Sequence, residues 1–465
     1  MNSPIARFEI DNIDFEVPCR RFTIRATITR DRQLPVVDEF LLRMLAVLER
    51  VPIRRLRGWF GFTEAEIETV LLDLERRAYV EVDRDDILLA PAGRDLFRAA
   101  PDGGVPRLVE VAPLIDHIWF DLVSRNMVPR SRARSVDYLV RLREQPSARD
   151  LPERFAREAF EANFRDYARR VKRLPDADAV NIYAVSDVEA GTYAYQSVPA
   201  VVELDPLRVA LRCHFPVLEE DPVRFRALTM LAIETWEALS SPDGADAAIV
   251  EYERLTGGPL LAPFVPGAKD ADHLRGILTT SPVLPFARTI GATYLEHNAA
   301  KLINAAAARA IHSSGSVEIL WLRPAVNSWA RTHRIADTIQ KLRDALRNAN
   351  ASAVRTSLIM SRTTPKQIRK LHRRLFDRGL LLPQGHMPAN IEILLVKGAA
   401  ALVNVQLRIS GHAVPVGGLV TNEKLLTRIA DRLSEDPGWE ELWARDSAPH
   451  SPRPESRGVT VAPGQ

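Results

Sequence analysis

Between Phe22 and Arg30 apolar and polar residues alternate (Phe-Thr-Ile-Arg-Ala-Thr-Ile-Thr-Arg), and the β-branched content with a period of two predicts a strand with one solvated face. From Pro35 the spacing changes. Val37, Phe40, Leu41, Met44, Leu45 and Leu48 recur every three or four residues, which predicts a helix with one apolar stripe. A short helix over Ile53–Phe60, a turn at Gly61-Phe62-Thr63 and a third helix from Glu64 to about Arg77 follow, the last turning Ile67, Val70, Leu71 and Leu74 inward. Thr63 and Glu66 have the spacing of a capping box, in which each side chain satisfies a backbone donor at the helix start. Tyr79–Val82, the polar turn Asp83–Asp86 and Ile87–Ala90 predict a two-stranded hairpin, and Pro91–Phe97 a further helix.

Beyond a linker-like Ala100–Gly104 the pattern is less regular. Leu108–Val123 mixes strand and helix signals; Val136–Glu144 and Leu151–Val171 read as helices, Ala179–Val185, Tyr193–Leu204 and Val209–Phe215 as strands, and Pro222–Leu239 as a helix. From Ala287 helices and strands alternate: helices at Thr289–Ile311, Trp329–Asn348, Pro365–Arg378 and Glu423–Leu433, strands at Val317–Leu322, Ala353–Met360, Ile391–Val396 and Ala400–Leu407. Such alternation with short connections predicts an α/β layer domain. The expected organisation is α+β and multidomain: a strand segment over 1–34, a helical and hairpin domain over 35–97, a middle α+β domain over 98–280, an α/β lobe over 281–435, and a Pro-, Ser- and Gly-rich disordered tail over 436–465.

With 465 residues, 46% of them hydrophobic, the chain is long enough to bury a core without disulfides. Its two cysteines, Cys19 and Cys213, suggest no disulfide framework and fit a reducing compartment. No apolar run reaches the ~20 residues that span a bilayer, and the first residues lack a signal-peptide pattern, so a cytoplasmic location with no membrane partner is expected. There is no H-E-x-x-H, C-x-x-C or Walker motif. No metal, no cofactor and no ATP hydrolysis are expected. His312, His372, His386 and His412 are the histidines available to an unfamiliar active site.

Charge adds the strongest clue. The whole chain carries a net +3, yet Arg323–Arg378 holds 14 basic residues against three acidic ones. Within the helix expected at Pro365–Arg378, Lys366, Arg369, Lys370, Arg373 and Arg374 share one face while Ile368, Leu371 and Leu375 take the other. Concentrated positive charge attracts phosphate backbones through counterion release. Arg355, Arg362 and Arg378 extend this candidate DNA-binding set, and Ser361, Thr363 and Thr364 stand where hydroxyls and helix N-terminal amides would meet a phosphate. A smaller cluster, Arg125, Arg130, Arg132, Arg134, Arg141 and Arg143, adds to the basic surface. The third helix, by contrast, opens with Glu64, Glu66 and Glu68, which would repel a duplex; Arg54, Arg55 and Arg57 on the second helix are better placed to hold one.

The element order over 35–97 resembles the winged-helix family, and that over 289–433 resembles one lobe of the phospholipase D-like superfamily. Members of the latter carry H-x-K-x4-D on the last strand pair, the histidine acting as nucleophile. The matching stretch here places Asn390 at the histidine position, Glu392 at the lysine position and Lys397 at the aspartate position, with Asn404 beyond. An amide cannot form a phospho-enzyme, so the resemblance implies a degenerate lobe without catalytic residues. Both modules recur together in bacterial anti-phage defence proteins, which implies antiviral defence within a protein complex. The expected function is therefore sequence-independent DNA binding by a recognition or scaffold subunit, in contact with the phosphate backbone and with other subunits such as an ATPase or helicase. The alternatives are a nuclease or phosphodiesterase with a non-standard site, and a winged-helix transcriptional regulator.

Overall fold

In the computed structural model of the chain, the described residues are 7–98, 106–128, 136–144, 152–174, 177–205, 210–219, 222–239, 244–258, 288–310, 315–409, 412–434 and 438–445. They form two compact units, one of residues 1–16, 135–142 and 197–465, the other of 17–134 and 143–196. Helices and strands occur in both, and the described residues form three separate sheets, so the protein is α+β. In chain order the first elements are β1 (Phe8–Gln33), α1 (Val36–Leu48), β2 (Arg50–Pro52), α2 (Ile53–Phe60), α3 (Glu64–Arg76), β3 (Val80–Asp83), β4 (Asp86–Leu89), α4 (Pro91–Arg98), β5 (Arg107–Asp121), β6 (Met127–Val128), β7 (Val140–Arg141) and α5 (Glu153–Ala162). Then come β8 (Val180–Asp205), β9 (Ala210–His214), α6 (Pro222–Glu237), α7 (Asp246–Thr256), β10 (Arg288–Ile290), α8 (Glu296–Ala310), β11 (Ser316–Leu322), α9 (Arg334–Asn348), β12 (Ala353–Ser361), β13 (Arg378–Leu382), β14 (Ile391–Val396), β15 (Ala400–Ile409), β16 (His412–Val420), α10 (Glu423–Arg432) and β17 (Glu440–Ala444).

In the unit of 17–134 and 143–196, α1 to α3 enclose Leu41, Leu42, Leu45, Leu56, Ile67, Leu71 and Leu74 with Ile87 of a three-stranded antiparallel sheet, order β2-β4-β3. The hairpin thus gains a third strand, Arg50–Pro52, too short to leave a periodic signal. α1 is rotated from its expected phase, because Leu42 enters the core and Phe40 stays 54% exposed, with the Arg43 guanidinium 5.9 Å from its ring centroid. Gly61, in the left-handed region at φ 69°, ends α2 and turns the chain into α3. The capping box forms: Thr63 N–H donates to Glu66 Oε2 at 2.8 Å and Glu66 N–H to Thr63 Oγ1 at 3.4 Å. Thr63→Ala is expected to destabilise α3 by about 1 kcal/mol, read as roughly fivefold faster amide exchange in its first turn.

The rest of that unit is a sheet in which Cys19–Gln33 of β1 pairs antiparallel with Arg107–Asp121. The mixed signals over 108–123 therefore resolve as strand. Phe22, Ile24, Ile28, Ile118 and Phe120 face Phe160, Phe164 and Tyr167, and the helix expected over 151–171 is interrupted at Asn163, whose side chain bonds the Ala159 carbonyl.

The other unit is built on an eight-stranded sheet, order β10-β16-β15-β14-β11-β12-β13-β17, with β11, β12 and β13 mutually parallel. α8 and α9 cover one face, packing on Trp321, Leu394, Val396 and Leu402; α7 contacts β15 and α10. β14 is buried at every position, as a strand enclosed on both faces must be.

Several expectations change in this unit. Val136–Glu144 is no helix: Val140–Arg141 pairs with Phe15–Glu16, and the Glu16 carboxylate takes Val136 N–H at 3.0 Å and Arg141 Nε at 2.9 Å. Contacts 120 residues away in sequence override the local period. Thr289 lies in β10, and the following helix starts only at Glu296, where Asn298 Nδ2 in its first turn bonds the carbonyls of Ile290, Gly291 and Ala292 and holds that stretch out of the helix. The next helix starts at Arg334 rather than Trp329, since Ala330 adopts φ 57°. Pro365–Arg378 is not an α-helix either; most of its bonded amides reach back three residues, from Ile368 to Pro365, Leu371 to Ile368, Arg373 to Lys370 and Leu375 to His372, while Arg369 reaches back four, to Pro365. Within the tail expected from 436, Glu440–Ala444 forms β17, because Trp443 is buried against Gly379, where an added Cβ would lie 2.3 Å from the indole. The segments 99–105, 129–135 and 446–465, with the linker-like stretch, Arg130, Arg132, Arg134 and the Pro-rich tail, lie outside the described residues.

Candidate nucleic-acid interface

The chain leaves β12 at its carboxyl end and returns to β13 through residues 362–377. Thr364, Ile368, His372 and Phe376, spaced by four, are buried and anchor this connection. His372 Nε2 lies 3.1 Å from the Ala330 carbonyl and the ring stacks on Tyr138 at 5.3 Å. Burial, with the Arg323 charge nearby, pushes its pKa down to about 3, so it stays neutral near pH 7 and neither contributes charge nor takes up a proton. Asp377 closes the segment, receiving Thr356 N–H at 2.8 Å and the Arg343 guanidinium at 3.1 Å.

The cations project from the other side. Lys366, Lys370, Arg373 and Arg374 are exposed, and among the described residues none has a carboxylate within ion-pair distance. Arg369 is partly buried, its guanidinium donating to the carbonyls of Thr364 and Arg362 at 2.9 Å each. Arg362 lies 3.9 Å from Glu440, and Arg378 grips Glu441 at 2.8 and 3.1 Å. Arg355 stands apart, seven residues before Arg362 on β12, about 23 Å along an extended strand. In the other unit Arg54, Arg55 and Arg57 are exposed on α2, Arg57 with Glu64 3.8 Å away.

The surplus counted along the sequence is thus narrower in space. Arg323 is internal and Arg331 half-buried, burial lowering both pKa values, that of Arg323 to about 9. Arg334, Lys341, Arg343 and Arg347 each meet an acid: Glu9, Glu296, Asp377 and Asp344. Partners such as Glu9 and Glu441, distant in sequence, carry no local signal. The expected amide cradle is absent, because Thr363 N–H bonds Ser361 Oγ, Thr364 N–H bonds the Ser361 carbonyl, and no α-helix begins there.

Of the residues matched to the phospholipase D-like motif, Glu392 and Asn404 stand opposite one another in the β14–β15 register, with Asn390 two residues from Glu392, but each is held by a separate partner. Asn390 Nδ2 bonds the Gly244 carbonyl at 2.6 Å, Asn404 receives Thr289 Oγ1 at 2.8 Å, and Lys397, past the far end of β14, pairs with Glu318 at 3.3 Å. Glu392 is fully buried, and its Oε1 accepts from Thr293 Oγ1 at 2.6 Å, Trp329 Nε1 at 2.7 Å and Trp321 Nε1 at 3.0 Å. Burial holds its pKa above the usual carboxylate range. The Arg323 guanidinium lies 5.1 Å from the Trp329 ring centroid. Glu392 is a structural junction between β14, β11 and two loops, a role its position in the sequence did not announce. Nor do the histidines meet: His386 is held by Arg432, His412 stacks on Trp236 at 4.1 Å, and His312 lies outside the described residues.

Asp11, hydrogen-bonded by Tyr294 Oη at 2.6 Å, has its pKa pushed up by burial to about 7. A carboxyl that folding makes harder to ionise stabilises the fold while protonated and loses that contribution as pH rises from about 4 to 7. The urea midpoint is expected to fall over that window, and Asp11→Asn to flatten the fall.

Among the described residues no group of three or more His, Cys, Asp or Glu side chains is arranged to hold a metal, and no helix is long and apolar enough to cross a membrane. No family model matches the chain, and no curated protein matches it. Six chains of solved structures match, among them one described as "Structure of TrmBL2, an archaeal chromatin protein, shows a novel mode of DNA binding", 11% identical over 48% of this chain and 69% of that one, with a TM-score of 0.18. At that TM-score the likeness settles neither the fold nor the partner of this chain. Fold and site together define an α+β protein with an exposed basic segment that lacks carboxylate partners among the described residues.

Proposed function

We propose that this protein binds DNA without regard to sequence, through the segment 362–374, as a recognition or scaffold subunit of a bacterial multi-protein DNA-processing or anti-phage defence assembly. One observation carries the reading: Lys366, Lys370, Arg373 and Arg374 share an exposed side and lack carboxylate partners among the described residues, while neighbouring cations have them. Flexible unpaired cations neutralise phosphates without reading base edges. The winged-helix reading of 35–97 serves this function through protein contact, since Glu64, Glu68 and Glu75 occupy the exposed side of α3; Arg54 and Arg55 give it at most a backbone contact. The partner subunit supplies any ATPase or helicase activity.

The test is binding of the full chain to two labelled duplexes of equal length and unrelated sequence, with magnesium present. Equal affinities and intact DNA are expected. A strong preference for one duplex would favour the regulator, and shortened products a nuclease.

A further inference from the structure

At the amino end of the parallel strands, remote from the basic segment, a cavity of about 390 Å³ opens among the starts of β11 and β12, the last turn of α8 and the turn between β14 and β15. Arg309, Arg355 and Lys397 line it, with a single carboxylate, Glu318. In the parallel register Glu318 lies beside Arg355, and its carboxylate is held by Lys397 at 3.3 Å, so one of the three cations is matched and two are not. Arg309 and Arg355 have no ion pair among the described residues. Val317 and Ala399 supply the accessible apolar lining, with the fully buried Leu346 behind them, and Gly315, Ser316 and Gly398 a backbone border. A volume of this size with two free guanidiniums over an apolar floor suits a ligand with one dianionic end and one apolar body.

We propose that this cavity binds a phosphate monoester carrying a nucleoside, with Arg309 and Arg355 on the phosphate and Val317 and Ala399 beneath the nucleoside. Lys397 and Glu318 then act as a fixed pair that keeps the β14–β15 turn in place. The phosphate has two sources, a free nucleotide or the phosphorylated terminus of a nucleic-acid strand. The proposal stands whether or not residues 362–374 bind DNA, and separate variants report on the two.

The full chain is titrated calorimetrically with deoxyadenosine 5′-monophosphate, and with deoxyadenosine and inorganic phosphate as controls. Saturable binding of the nucleotide is expected, at least tenfold tighter than of either control. Arg355→Ala and Arg309→Ala, both exposed and therefore compatible with folding, are each expected to weaken it at least tenfold, while the Lys366, Lys370, Arg373 and Arg374 alanine variant leaves it unchanged. In that last variant, a single-stranded ten-mer bound at least tenfold better with a 5′-phosphate than with a 5′-hydroxyl identifies the strand terminus as the source; equal binding identifies the free nucleotide. No saturable nucleotide binding, equal binding of deoxyadenosine, or unchanged affinity in both arginine variants overturns the proposal and leaves Arg309 a cation that merely complements the carboxyl end of α8.

Discussion

Glu392→Ala is expected to lower the stability of the chain by about 4 kcal/mol, read as a fall in the urea midpoint with the fold otherwise retained under native conditions. One carboxylate oxygen accepts from Thr293, Trp329 and Trp321, and Gln406 Nε2 lies 3.4 Å from the other. Truncation removes these acceptors while the donors stay buried, and each unpaired buried donor costs about 1–3 kcal/mol. The cavity left beneath Trp321 and Trp329 adds to the loss. Glu392→Gln keeps an acceptor at Oε1 but sets an amide against the Gln406 amide, so a smaller loss, about 1–2 kcal/mol, is expected. An unchanged midpoint in the alanine variant would contradict the assignment of Glu392 as a junction.

The second large effect concerns binding. Replacing Lys366, Lys370, Arg373 and Arg374 together by alanine is expected to weaken binding to an arbitrary duplex by about 100-fold or more at low salt, with no change in thermal midpoint. Surface cations without partners add little to stability, whereas each phosphate they neutralise releases counterions. The anchors Ile368, His372 and Phe376 are untouched, so the segment keeps its place. Arg54→Ala with Arg55→Ala, in the other unit, is expected to change affinity less than fivefold. A quadruple variant that binds as well as the wild type would move the interface elsewhere.

The contrast between these two sites shows what the sequence made legible. Short-range regularities were readable: the capping box at Thr63 and Glu66, the hairpin of Val80–Leu89, and the cores of β11, β12, β14 and β15 appear where their periods put them. Long-range pairing was not. Val140–Arg141 became strand through Glu16, Thr289 through Gly417, and Glu440–Ala444 through the edge of β13, none of which has a local signature. At Pro365–Arg378 the helical spacing puts Ile368, Leu371 and Leu375 inward, but only Ile368 of these is buried, and Thr364, His372 and Phe376 take the interior, because spacing does not determine which carbonyl each amide finds and the backbone makes successive tight turns. The same limit applies to charge. The sequence shows how many cations a stretch holds; only the structure shows that Arg334, Arg362 and Arg378 already have partners and that Arg323 is internal. In the sequence Glu392 stands out only as a departure from a motif, while its role depends on Trp321, Trp329 and Thr293, which only the fold brings together.

The most direct test of DNA binding by residues 362–374 is the dissociation constant of the wild-type chain for an arbitrary duplex between 50 and 200 mM salt. Four phosphate contacts predict a slope of about −3.6 in log affinity against log salt, roughly a 100-fold loss across the range, and a slope near zero for the quadruple alanine variant. A wild-type slope near zero, or one that the variant retains in full, would contradict the account.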